Sequence, residues 1–189
     1  MKEILKLGGI LFLVTAIASA VLAFVNQKTQ PIIAEQARLE LEKALTTALP
    51  QADKNAIDKQ EDGTYIGYTD TTRQNIAGYI YLAKGKGYSS EIQTLVGIDT
   101  TGTIRGMKII YQVETPGLGT KTTEVRHGET TPWFQQQFID KSFNEIELTK
   151  DAQQTDKIVA ITGATISSNA VTGSVKKGLE NIKNKLGIE

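Results

Sequence analysis

The stretch IQTLVGIDTTGTIRGMKIIY, residues 92–111, decides the fold. Two runs rich in Ile, Val, Leu and Thr, residues 92–98 and 103–111, flank Asp99-Thr100-Thr101-Gly102, where Asp opens and Gly closes a turn. The pattern predicts an antiparallel hairpin. Upstream, residues 64–68 and 76–83 share this β-branched and aromatic character and predict two further strands. Downstream, Pro116, Gly117 and Gly119 make a loop, residues 132–140 predict a short helix with Trp133, Phe134 and Phe138 on one face, and residues 158–161 form a short buried run. Val171, Val175, Leu179, Ile182 and Leu186 recur at helical intervals, so the last segment reads as an amphipathic helix, slightly weakened by Gly173 and Gly178. The fold class is therefore α+β, an antiparallel sheet with a closing C-terminal helix.

Toward the N-terminus, residues 7–25 carry no charge and are mostly Leu, Ile, Val, Ala and Phe. That matches the ~20 apolar residues needed to cross a ~30 Å hydrocarbon core as a helix. Lys2 and Lys6 precede the run, which favours a cytoplasmic N-terminus, although Glu3 and Lys28 reduce the bias. The expectation is a single-pass protein of the cytoplasmic (inner) membrane with an extracytoplasmic C-terminal domain. Ala18-Ser19-Ala20 has the form of a signal-peptide cleavage site, but it lies inside the apolar run rather than after it, so a retained anchor is the reading adopted. Residues 34–49 predict a membrane-proximal helix, with Ala37, Leu41, Ala44, Leu45 and Ala48 on one stripe and Pro31 in its first turn. Residues 51–63 read as a polar loop. The organisation is thus 1–26 cytoplasmic N-terminus and transmembrane anchor, 27–50 membrane-proximal helix, and 51–189 extracytoplasmic domain.

Composition narrows the function. The 189 residues leave room for one compact domain beyond the anchor. Lys plus Arg and Asp plus Glu both number 21, so no net charge favours nucleic acid. The absence of cysteine removes disulfides, iron–sulfur clusters, thiolate metal sites and cysteine nucleophiles. His127 is the one histidine and reads as a solvated loop residue, so no metal site and no catalytic residue are expected.

Two segments carry candidate chemistry. Thr162-Gly163-Ala164-Thr165-Ile166-Ser167-Ser168 falls at the head of the last helix, where free backbone N–H groups and the helix dipole suit an anion. Gly163 and Ala164 permit close approach, and Thr165 offers a hydroxyl able to form a phosphoester. On position and composition alone, the plainer reading, that these hydroxyls include only a helix cap, is the favoured one. The loop Glu114-Thr115-Pro116-Gly117-Leu118-Gly119-Thr120 could present backbone N–H groups to a ligand, but it lacks a Walker or dinucleotide spacing and by itself reads first as a plain turn.

Taken in order behind an apolar anchor, residues 114–119 (ETPGLG) and 156–168 (DKIVAITGATISS) resemble the FMN-binding domain family. That family is shared by the G subunit of Rnf ion-translocating electron-transport complexes and the C subunit of sodium-translocating NADH:quinone reductase. The resemblance spans nearly the whole chain. It implies FMN joined by a phosphodiester to Thr165, with Thr162, Gly163, Ala164, Ser167, Ser168, Glu114, Thr115, Gly117, Leu118 and Gly119 around the cofactor. It also implies a flavin transferase that attaches FMN from FAD with Mg²⁺ and reads a motif opened by Asp156, the chain being its substrate. The compact length resembles the Rnf G subunit more than the larger reductase C subunit. The implied role is electron relay in a membrane-bound ferredoxin:NAD⁺ oxidoreductase coupled to ion translocation, alongside other membrane and peripheral subunits. Gln112 departs from the family's frequent histidine and puts a titratable group there in doubt. By the same resemblance Trp133 is a candidate to stack on the flavin ring, although its spacing reads as core. The alternatives are a reductase C-subunit role, a non-redox binding module whose Thr-rich turn is only a cap, and a free-standing extracytoplasmic flavoprotein reductase, against which stands the lack of a recognisable acid–base pair in the sequence.

Overall fold

The computed structural model describes residues 1–154 and 156–187. The chain divides into two compact units, Met1–Leu41 and the part from Glu42 onward. The first unit lies within helix α1 (Lys2–Ala48), is exposed at every residue, and contains a stretch apolar and long enough to cross a membrane. The expected membrane-proximal helix is not a separate element: α1 is continuous through Pro31. An interior proline costs about 3 kcal/mol through its missing N–H and its clash with the preceding turn. Helix formers such as Ala34, Glu35, Ala37, Leu39 and Leu41 sustain the helix beyond it.

The second unit is built on a five-stranded antiparallel sheet in sequential order: β1 (Ile57–Lys59), β2 (Tyr65–Tyr68), β3 (Ile76–Lys86), β4 (Glu91–Ile98) and β5 (Ile104–Tyr111). The β4–β5 hairpin forms as the turn chemistry predicts. The Asp99 carboxylate accepts the N–H groups of Thr101 (2.8 Å) and Thr103 (3.1 Å), its other oxygen accepts Arg105 Nε (2.8 Å), and Gly102 takes φ +84°. β1 lies inside the expected loop at 51–63; three residues with one apolar side chain carry no periodicity to read. After the sheet come a 3₁₀ turn (Gly119–Thr123), α2 (Trp133–Gln136), a second 3₁₀ turn (Phe143–Glu145), and the parallel pair β6 (Leu148–Thr149) and β7 (Ile158–Val159). α3 (Thr165–Leu186) closes the unit.

Strand alternation sends neighbouring side chains to opposite faces. Ile80 and Leu95 pack with Ala44, Leu45, Ala48 and Leu49 from the last turns of α1. Tyr81 and Val96, one residue along, pack with Val171, Val175 and Leu179 of α3, together with Phe134 and Phe138. The sheet is therefore covered on both faces, and glycines set how closely each cover sits. A Cβ on Gly97 or Gly106 would collide with backbone carbonyls of Ala48 and Thr47, and one on Gly85 with the carbonyl of Ala170. Gly178 is more than a weak point in a helix: it makes room for the Tyr81 ring, whose hydroxyl donates to the Val175 carbonyl at 2.9 Å.

Two glycine-to-alanine changes should act in opposite directions. Gly97→Ala places a methyl against backbone that cannot yield, and should destabilise the unit by about 2 kcal/mol or more. Gly173→Ala meets nothing within 4 Å and should stabilise α3 by up to about 1 kcal/mol. Denaturant midpoints of the full chain in detergent, followed by Trp133 fluorescence, check both.

Candidate functional site

α3 begins without a side-chain cap. Ala164 occupies the N-cap position, and the backbone N–H groups of Thr165, Ile166 and Ser167 find no hydrogen-bond acceptor among the described residues. The first helical bond is donated by Ser168 N to the Ala164 carbonyl at 3.0 Å. None of the four hydroxyls of this segment serves as the cap. The Ser168 hydroxyl, fully buried, donates to the Ala164 carbonyl (2.9 Å) and accepts from Ile161 N (3.0 Å), which pins the turn to the end of β7. The Ser167 hydroxyl is buried and donates to Glu114 Oε2 at 2.5 Å. Thr165 is exposed, and its hydroxyl has no partner among the described residues.

Glu114 draws the site together. Its side chain is 5% exposed. Oε2 accepts Tyr88 N (3.0 Å) as well as Ser167, and Oε1 accepts Ser89 N (2.9 Å), Ser90 N (3.0 Å) and the Ser90 hydroxyl (3.4 Å). Burial by itself would push this carboxyl up. The hydrogen bonds from Ser167 and the amides of Ser89, Tyr88 and Ser90 outweigh it and hold the group below its ordinary value. Two glycines permit this closeness: a Cβ on Gly87 would stand 2.6 Å from Glu114 Oε1, and one on Gly119 2.6 Å from both Glu114 Cβ and Ser167 Oγ. Gln112 fills a structural part, its amide oxygen accepting Glu114 N at 2.8 Å.

The loop after Glu114 is self-contained. The Thr115 carbonyl accepts Leu118 N (3.1 Å) and Thr120 N (3.4 Å), the Thr120 hydroxyl accepts Gly117 N (2.9 Å), and Gly117 takes φ +73°. The Leu118 side chain reaches Gly163, where an added Cβ would lie 3.2 Å from it and where φ is +80°. The two motifs thus meet around one cavity of about 450 Å³, lined by Tyr88, Glu114, Thr115, Leu118, Gly119, Gly163, Ala164, Thr165, Ile166 and Ser167. Among the described residues no cation lines it, so the open end of α3 is what favours negative charge there.

Not every expected residue joins this cavity. Gly117 shapes the loop without lining it, and Ser168 is buried behind it. Thr162 lines a neighbouring cavity of about 370 Å³ with Lys121, Arg126 and Trp133. There the Arg126 guanidinium sits 4.0 Å from the centre of the Trp133 ring, which stands nearly perpendicular to the Phe134 ring, and Trp133 does not line the Thr165 cavity. His127 is exposed. Tyr88 escaped the sequence reading; its one signal was an aromatic set beside glycine in a β-turn, GKGYSS at 85–90.

Comparison with known proteins identifies the family. The model for the FMN-binding domain matches residues 87–180, and that for the RnfG N-terminal region matches residues 1–47. The G subunit of the Na(+)-translocating ferredoxin:NAD(+) oxidoreductase complex of Acetobacterium woodii is 33% identical over 201 residues, covering 97% of this chain and 93% of that protein. The G subunit of the ion-translocating oxidoreductase complex of Methanosarcina acetivorans is 32% identical over 195 residues, covering 98% of each. Among solved structures, Shewanella oneidensis NqrC aligns with a TM-score of 0.49 at 16% identity, covering 75% of this chain and 74% of that one.

The depressed Glu114 carboxyl carries a pH signature. Its hydrogen bonds contribute stability that is fully present above the ordinary carboxylate value of 4.5 and is lost as pH falls through the lower folded-state value. Glu114→Gln should therefore cost about 2 kcal/mol at pH 7, and the gap between wild type and variant should close below pH 4.5. Urea midpoints across that range measure it.

Proposed function

We propose, from the premise that this chain belongs to the G-subunit family of ion-translocating oxidoreductase complexes, that it is the flavin-carrying electron-relay component of an Rnf-type ferredoxin:NAD⁺ oxidoreductase. In this reading FMN is held covalently by a phosphodiester to Thr165. The observation that carries the proposal is the uncapped head of α3, where an exposed, unpartnered threonine hydroxyl stands beside three unsatisfied N–H groups in the motif-lined cavity.

The residues present fit such a group. A phosphodiester bears one negative charge, and the open N-terminus of a 22-residue helix supplies both donors and a favourable dipole. Gly163, at positive φ, keeps side-chain bulk away from the turn that leads into Thr165. Apolar Leu118 and Ile166, 42% and 55% exposed, offer cover to a ring system. Attachment requires the Thr165 oxygen to bond the flavin-side phosphorus of FAD while the pyrophosphate P–O bond breaks, AMP leaving and the hydroxyl proton passing to solvent. Among the described residues the cavity holds no carboxylate or imidazole for that step apart from Glu114, whose oxygens are already engaged; in this reading a separate flavin transferase does the work. Once bound, FMN supplies one- and two-electron transfer. The protein's own part is to orient the cofactor and retain it.

The lysines ahead of the apolar stretch of α1 support a cytoplasmic N-terminus and an extracytoplasmic flavin domain. A covalent bond then prevents loss of the cofactor to the outside. Other subunits of the complex would deliver and accept the electrons.

Thr165→Ala should abolish covalent flavin while the domain still folds, with the far-ultraviolet circular dichroism of the wild type. The chain, co-produced with a flavin transferase, is denatured in acid and examined by in-gel fluorescence and intact mass. Stoichiometric flavin surviving denaturation in the variant, or a dark wild-type band, would overturn the reading.

A further inference from the structure

Within the Thr165 cavity, Tyr88 is the one aromatic side chain among the described residues. It is 71% exposed, more than any other large apolar side chain described from Glu42 onward. An exposed tyrosine on a mobile loop would mean little, but this backbone is fixed from several sides. Tyr88 N donates to Glu114 Oε2 at 3.0 Å, and the Ser167 hydroxyl donates to that same oxygen at 2.5 Å. Ser89 and Ser90 donate to the partner oxygen, and Gly87 N closes the turn on the Ser90 carbonyl at 2.8 Å. One buried carboxylate thereby holds both the turn carrying Tyr88 and the helix head carrying Thr165. The backbone is clamped and the ring is left free.

We infer that Tyr88 is the positioning residue for the cofactor: its ring is the face against which the isoalloxazine of FMN stacks. The inference rests on attachment at Thr165 and deepens that reading. Aromatic rings prefer offset stacking, and tyrosine combines a large apolar face with a polar tip that can stay in water. Leu118 and Ile166 line the same cavity and exclude water beside the ring without competing for a stacked geometry. Trp133 is the poorer choice, since it lines the neighbouring cavity and its ring is already covered by Arg126.

The test uses the full-length flavinylated chain in detergent. Intact mass first reports whether flavin is attached, and flavin emission is then compared in the native and guanidinium-unfolded states, with visible circular dichroism alongside. Stacking on tyrosine should quench native emission several-fold relative to the unfolded protein. Tyr88→Leu should recover most of that emission and weaken the visible dichroism, with mass increment and urea midpoint unchanged, while Tyr88→Trp should keep the emission low. Emission and dichroism in Tyr88→Leu equal to wild type would overturn the assignment. Loss of the mass increment in Tyr88→Leu alone would also overturn it, by moving Tyr88 to the attachment step. A wild-type chain without the increment would instead sink the Thr165 reading, and the stacking face with it.

Discussion

A buried carboxylate with no cationic partner among the described residues holds the site. Glu114 is satisfied entirely by hydroxyl and amide donors from two other parts of the chain, the β3–β4 turn and the head of α3. Hydrogen bonds to a charged acceptor are worth about twice neutral ones, and a buried charge that loses them is costly. The arrangement is therefore all or nothing. Because the donors are mostly backbone N–H groups, the clamp holds main chain rather than side chains, and the Tyr88 ring and the Thr165 hydroxyl project from a hydrogen-bonded frame.

The same logic of surrendered side chains runs through the layers. At Gly97 and Gly106 the sheet accepts the end of α1 backbone to backbone, and at Gly85 and Gly178 it accepts α3. Close approach fixes the height of α3 over the sheet, and so the place of its first turn. That first turn gives up something in return: a helix end without a cap forgoes about 1 kcal/mol. The N–H groups left open there are open to water, and an anion is the ligand they suit best.

The sheet was legible where local chemistry and global packing agree. Asp99 and Gly102 announce the hairpin, and the spacing from Val171 to Leu186 announces α3. Legibility failed where tertiary contact overrides local signal. β1 exists because Gly67 and its neighbours on β2 pair with it, and Gly178 reads as a defect until Tyr81 fills the space above it. At the site, spacing indicated a phosphate-friendly helix head and nothing more. Family resemblance linked the loop at 114–119 to Thr165, whereas the physical link, Ser167 to Glu114 across 53 residues of sequence, is a long-range contact that no periodicity encodes.

α1 has a double membership with a practical consequence. Its last turns, Ala44, Leu45 and Ala48, followed by Leu49, are core residues of the compact unit that starts at Glu42. A water-soluble fragment begun at Pro50, where the helix has visibly ended, would strip the cover from Ile80 and Leu95 and leave an apolar sheet face open to aggregation. The useful place to cut lies inside the helix, ahead of Glu42, so that the fragment keeps a stub of its own tether as part of its interior.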